Sequence, residues 1–451
     1  MVSGKQFGTP VTQLASRMRV LANFFVAQGV TMAGNLLYGL LCVRLLPADD
    51  YAKFVVVFAV QGTVIVLMDV NFTGTIVPLV GERLTDHKLI ADYVASLRQL
   101  SNWIYALVGI GLVFFFPVLV KNRAWDLRTV AAMVVILLLS TWFMRIGSAY
   151  GAVLILLRDR STWYRGQMIS SFGTLTLLLV AWAFHALGPL LAILINVGGI
   201  VFVGIFYYFR ASKSLGAVGE ASPETRKAIT GLALPNIPQA VFYALQGQLS
   251  VFLITYLGHT KGVASVGALG RLGQIFAVFM QMNPLIIEPY FAKLRSTQLK
   301  KNYAVALLLA AIACIGITAM AWQIPQLFLW ALGPQYRNLT KEVNIAIGAS
   351  AVSCFSGVLW TIHSARRFVY WWNVMFSMVL IVAAQIGCIL LLDMSTVRGV
   401  LLLAVATNTA SMFSNVLSGV YGFLKGPRRV ADTPKLPPDI NADPESTAHV
   451  G

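Results

Sequence analysis

The chain has 451 residues, of which 58% are hydrophobic and only 11% charged, and its formal net charge is +17. A soluble domain carries about 25% charged residues, so soluble globular and disordered readings are excluded. The cations form no basic patch interleaved with aromatics, so nucleic acid is not a predicted partner; they fit the Lys and Arg that collect in the cytoplasmic loops of membrane proteins.

Residues 1–19 are polar, and no short apolar region with a small-residue cleavage site follows them. No cleaved leader is expected, and the first hydrophobic segment should stay in place. About 20 apolar residues cross a bilayer, and Gly or Pro inside such a run is tolerated. Twelve spans are predicted on that rule. The first six lie near 20–46, 52–80, 99–120, 129–157, 162–184 and 189–209. The second six lie near 229–257, 263–292, 302–332, 342–364, 370–392 and 397–424. The predicted fold is therefore an all-α integral membrane protein of about twelve helices.

The positive charges set the expected orientation. Twenty-three of the 34 Lys and Arg fall on segments that share a side with the N-terminus, eight on the opposite side and three inside spans. That bias places both termini in the cytoplasm. The longest polar connection, 211–228, divides a bundle at 20–210 from one at 229–424, and each begins and ends on the inner side. Equal topology suggests parallel repeats with a substrate path between them. Residues 425–451 are polar and Pro-rich, so a disordered tail is expected there.

Motifs for soluble-type catalysis are missing. Every predicted outer connection is short, no His/Cys/Asp cluster has metal spacing, and no phosphate-cradling GxxxxGK[ST] occurs. An enzyme is not expected, nor a cofactor. The four cysteines, Cys42, Cys314, Cys354 and Cys388, sit in apolar runs and read as small core residues. Gly267, Gly270 and Gly273 lie inside a span, where small residues permit close helix contact or bending. His185, His259 and His363 fall near span ends and read as interfacial packing.

The intramembrane charges are the informative set. Arg145 sits in the middle of Val130–Leu157, a run with no other charge. A guanidinium at that depth costs at least ~2.5 kcal/mol unless it meets water or a partner, so such residues usually face a bundle interior or cavity. Its natural partner is a phosphate or carboxylate. Arg271 lies in the eighth span, Asp69 is central in the second, and Arg44 and Glu288 are near span ends. Two readings stay open for each arginine. Arg145 either pairs with Asp69 or lines a cavity; Arg271 either snorkels to the interface or faces Arg145 across that cavity. Asn71, Gln246 and Gln248 add neutral groups suited to sugar hydroxyls or to packing across helices. Pro78, Pro235, Pro238, Pro284 and Pro289 break the second, seventh and eighth spans, as in transporters whose helices bend around a midplane site.

The hairpin VRLLPADDYAKFVVVFAVQGTVIVLMDVNFTGTIVPLVGERL resembles the first hairpin of the oligosaccharide-lipid flippases, the polysaccharide transporter branch of the multidrug/oligosaccharidyl-lipid/polysaccharide exporter superfamily. LITYLGHTKGVASVGALGRLGQIFAVF is similar to their seventh–eighth hairpin, and FLWALGPQYRNLTKEVNIA to their ninth–tenth connection. The resemblance implies a V-shaped, MATE-like pair of six-helix bundles in the bacterial inner membrane. It also implies export of an undecaprenyl-diphosphate-linked oligosaccharide, a surface polysaccharide repeat unit, by alternating access. Membrane lipids, a polysaccharide polymerase and chain-length proteins are the implied neighbours of a chain that works as a monomer. Asp69 and Arg271 match family positions; Arg145 is supported only by its depth. Ala52 stands where the family usually has Gly, and Gln248 where many members carry an acid. Cation coupling, if present, then falls to Asp69 or Glu288. The competing expectation is a cation-coupled multidrug exporter of the same fold.

Overall fold

The computed structural model describes residues 10–69, 75–76, 79–80, 86–123, 125–157, 159–216, 219–294 and 296–425. Every regular element among them is helical, as a bilayer requires of backbone that cannot hydrogen-bond to water. The first six long helices are α1 (Pro10–Leu45), α2 (Ala48–Asp69), α3 (His87–Val120), α4 (Leu127–Leu156), α5 (Arg160–Ala183) and α6 (Pro189–Leu215). Local chemistry fixes where several begin. The carboxylates of Asp86, Asp126 and Asp159 accept from the backbone N–H of Leu89, Thr129 and Thr162, satisfying donors that the first turn leaves open. Gly216, at φ +62°, ends α6 in the left-handed conformation that an L side chain rarely adopts.

The predicted seventh span is three helices: α7 (Pro223–Ala233), α8 (Ile237–Gln246) and α9 (Leu249–Leu257). Leu234–Asn236 is a 3₁₀ turn, and α7 and α8 meet there at 57°. The predicted eighth span is α10 (Thr260–Met282), a π-helical turn at Asn283–Ile287 and α11 (Glu288–Lys293). Pro284 and Pro289 thus mark a wide turn rather than a chain break, the kind of insertion often found at functional positions. α12 (Ser296–Gln323) and α13 (Pro325–Leu332) share the ninth span, and α14 (Thr340–Ala365), α15 (Trp371–Leu391) and α16 (Val397–Lys425) complete the chain.

Among the described residues nine helices are long and apolar enough to cross a bilayer, or ten with the bent α7–α8 pair counted as one. The 36-residue α1 and 23-residue α10 also have the reach at about 1.5 Å per residue, which completes twelve. Pro78, Asn71 and residues 426–451 of the expected tail lie outside the described residues, while Lys425 is the last residue of α16.

Helices α1–α6 pack chiefly on one another, as do α10 and α12–α16. The two sets meet where α1 and α2 cross α8, α9 and α10. One large apolar core bridges that seam, with Tyr38, Tyr51 and Phe54 packed among Val263, Leu269 and Ile347. Gly267 makes the crossing close: a Cβ there would strike Val55 of α2. At the other end of the molecule Ile229 and Ala233 of α7 enter a core built by α3, α4 and α6. The polar stretch at 211–228 is accordingly mostly helix, joined at 216–222.

Candidate functional site

Arg271 is 6% exposed, and among the described residues it forms no ion pair. Its guanidinium lies over the Phe58 ring at 4.0 Å and near that of Phe54 at 5.6 Å, an electrostatic substitute for hydration. α1 gives it room at Gly39, where a Cβ would stand 3.0–3.1 Å from Cδ, Nε and Nη1 of the arginine. The Tyr51 hydroxyl is close enough to interact with the charge but forms no hydrogen bond of proper geometry. The side chain therefore does not snorkel to an interface. Held between α1, α2 and α10, it keeps hydrogen-bonding capacity in reserve.

Two cavities meet at this residue. One, of about 1250 Å³, lies between the N-terminal helices and the edge of α8 and α10. Asp69, Asn35, Gln167, Asn196 and Trp163 line it, together with Arg271 and Gln274. Most of its lining belongs to the half of the membrane nearer the start of α1. The second, of about 570 Å³, lies between α2 and the C-terminal helices and is lined by Gln246, Gln248, Gln274, Gln385 and Asn408 beside Arg271. Gln248 sits at the break between α8 and α9 and reaches Gly62 of α2, whose added Cβ would lie 3.1 Å from Nε2. Gln246 and Gln248 thus flank a gap in a helix at cavity level, where freed backbone is normally tolerated because it lines a cavity.

Arg145 is placed elsewhere. Its neighbours Phe143, Met144, Gly147 and Ser148 line the larger cavity, but Arg145 itself is not part of that lining and turns toward α3. It is 7% exposed and lies over Trp142 at 4.0 Å and Tyr105 of α3 at 5.8 Å. Nε and Nη1 have no hydrogen-bond partner. The charge nearest in effect is Arg98, a like charge, whose Nη1 donates to the Tyr150 hydroxyl at 3.0 Å. The expectation of an Asp69–Arg145 pair fails, since no such ion pair forms; so does the image of Arg145 facing Arg271. The reason is rotational. Depth could be read along the helix, but which side of α4 carries the arginine depended on how α3 packs.

A further arginine was missed by sequence reasoning. Arg123, in the 3₁₀ turn Lys121–Arg123 after α3, is 8% exposed. Its Nε donates to the Thr255 carbonyl at 2.7 Å and its Nη2 to the Ile254 carbonyl at 2.6 Å, both at the C-terminal end of α9. Beside it Asn122 Nδ2 donates to the Tyr256 carbonyl at 3.0 Å. Gln335 Nε2 donates to the Val43 carbonyl of α1 at 2.6 Å. These bonds tie the two sets of helices at the end away from the larger cavity. Nothing in sequence marks Arg123 from an ordinary loop cation. The amides Asn35, Gln167, Asn196, Gln385 and Asn408 carried a weak signal, as neutral polar residues inside apolar runs.

Of the other side chains singled out, His363 is buried and pairs its Nε2 with the Tyr303 hydroxyl at 3.0 Å. The cysteines are free thiols. No metal-binding group of His, Cys, Asp or Glu occurs among the described residues.

No protein-family model matches the chain, and no curated protein matches it in sequence. Solved structures do match in fold. An inward-facing multidrug resistance MATE family transporter of the MOP superfamily aligns with a TM-score of 0.65 at 12% identity, over 87% of this chain and 94% of that one. An outward-facing structure of such a transporter gives 0.55 at 12% identity, over 89% and 93%. The lipid II flippase MurJ in an inward closed conformation gives 0.61 at 12% identity, over 89% and 87%. The chain has the MATE-like fold of about twelve helices.

Proposed function

We propose that this protein is a membrane transporter of the MOP superfamily that flips a lipid-linked oligosaccharide diphosphate across the bacterial inner membrane. The observation that carries the reading is Arg271: a buried guanidinium, in no ion pair among the described residues, at the junction of two cavities between the halves. A planar donor of this kind in a low-dielectric site favours a phosphate far more than it would in water. The larger cavity supplies neutral amides and Trp163 around it, a lining suited to a charged headgroup that carries hydroxyls. In this reading Arg271 receives the diphosphate, Gln246 and Gln248 sit beside it, and Asn71 and Arg145 are not assigned to the headgroup.

The fold neighbours support a transporter, and one of them is named as a flippase of lipid II. The closed seam around Arg123 and the larger cavity at the opposite end fit an inward-facing state. A cation-coupled exporter of drugs is the second reading, favoured by Asp69 in the same cavity as Arg271. Reconstituted protein and a fluorescent undecaprenyl-diphosphate oligosaccharide separate the two. Flipping in proteoliposomes is expected for the native chain and absent for Arg271→Ala at equal protein content. Efflux of cationic dyes with no flipping of the lipid would overturn the proposal.

A further inference from the structure

A third cavity, of about 340 Å³, lies inside the C-terminal helices and has no charged residue in its lining. It shares Gln246, Met280, Ser353 and Asn408 with the cavity next to Arg271, so the two adjoin. We infer that this amide-lined tract is a carbohydrate subsite for the sugars that follow the diphosphate, an inference that rests on the lipid-diphosphate reading above.

The side chains are held in a way that suits hydroxyl groups. Asn408 Nδ2 donates to the Ala349 carbonyl at 2.9 Å, which fixes the amide and leaves its oxygen to the cavity. Asn415 Nδ2 donates to Ser356 Oγ at 2.9 Å, leaving an acceptor in the same way. Asn373 Oδ1 accepts from Ser414 Oγ at 3.1 Å, which leaves its Nδ2 to donate. Gln239 and Gln246 make no hydrogen bond to the protein among the described residues. Both are half-buried and open to the cavity, so their donors and acceptors are available to a ligand or to water. Mixed donors and acceptors match vicinal hydroxyls, each of which both gives and takes a proton. Trp360 and Tyr243 add aromatic walls for the apolar faces of sugar rings.

Other occupants fit less well. A lipid tail would strand at least six polar groups. A cation would be expected to draw a carboxylate into the lining, and a second anion would need a cation besides Arg271. The volume is in the range of small-ligand pockets, roughly 300–1,000 Å³. With the diphosphate at Arg271, the nearest sugars would occupy the shared cavity and the next ones the third.

The test uses purified full-length protein in lipid nanodiscs and two probes, undecaprenyl diphosphate and the same lipid carrying a trisaccharide of N-acetylglucosamine. The native protein is expected to bind the sugar-bearing probe at least about tenfold more tightly. The double variant Gln239→Met/Gln246→Met loses no internal hydrogen bond, so its melting temperature should hold while the tenfold preference disappears. Equal binding of the two probes by the native protein would overturn the subsite, as would survival of the preference in the double variant. Binding of neither probe would instead sink the lipid-diphosphate reading. The subsite is then judged by titrating the free trisaccharide, where no saturable binding overturns it and saturable binding lost in the double variant upholds it.

Discussion

Two buried arginines, Arg123 and Arg271, are almost equally exposed at 8% and 6%, and both stand where the two sets of helices meet. Arg123 spends its donors on the carbonyl ends of α9. Those carbonyls belong to the negative pole of a helix: the Ile254 carbonyl also accepts from the Gly258 N–H at 3.0 Å, whereas the Thr255 carbonyl takes its hydrogen bond from Arg123, and the guanidinium is neutralised in part. Arg271 has rings around it in place of carbonyls, and its hydrogen-bonding capacity is open. The same group is thus a latch in one place and a receptor in the other. Burial alone does not separate those roles; the direction of the N–H groups does.

Substituting each arginine should separate them most sharply. Arg271→Gln should slow transport by about 10- to 100-fold, the loss of one charge-assisted bond to phosphate at ~1.5–3 kcal/mol, with little change in melting temperature. Flipping assays beside thermal unfolding in detergent read both quantities, and unimpaired flipping would erase the distinction. Arg123→Gln should do the reverse: it leaves the Thr255 carbonyl without its donor and destabilises the closed seam by about 1–3 kcal/mol. Spin labels at positions 121 and 261, introduced as cysteines after the native cysteines are replaced, should then show a longer distance population. An unchanged distance distribution would mean that the seam is held by its apolar core alone.

A smaller effect is expected at Gly39. Its Cβ would press on Arg271 at 3.0–3.1 Å, and shifting the guanidinium off Phe58 should reduce transport several-fold at a cost of about 1–3 kcal/mol of overpacking. Gly62→Ala tests the neighbouring contact, with Gln248 Nε2 as the atom displaced. Lower transport in Gly39→Ala with an unaltered headgroup affinity would count against Arg271 as the receptor. The smallest change is outside the comparison and calibrates it. Ser222 caps α7 by accepting from the Thr225 N–H at 3.1 Å, and Ser222→Ala should cost about 1 kcal/mol with transport intact.

The sequence by itself determined the class and the number of spans. Those follow from bilayer thickness and from the cost of leaving backbone unpaired in hydrocarbon, which are properties of a segment and not of its neighbours. It also pointed to the breaks in the seventh and eighth spans through Pro235, Pro238, Pro284 and Pro289, although not to their form as a 3₁₀ turn and a π turn. Gln246, Gln248 and Arg271 line one cavity, whereas Arg145 turned away from it. Tertiary packing decided that difference. A helix with apolar residues on every face, as α4 has around Arg145, carries no periodic signal of which side meets the cavity. Only the docking of α3 on one side and of α2, α5 and α6 around the other fixed its rotation. Arg123 was illegible for a related reason: its partners are backbone carbonyls more than a hundred residues away, and carbonyls leave no mark in a sequence.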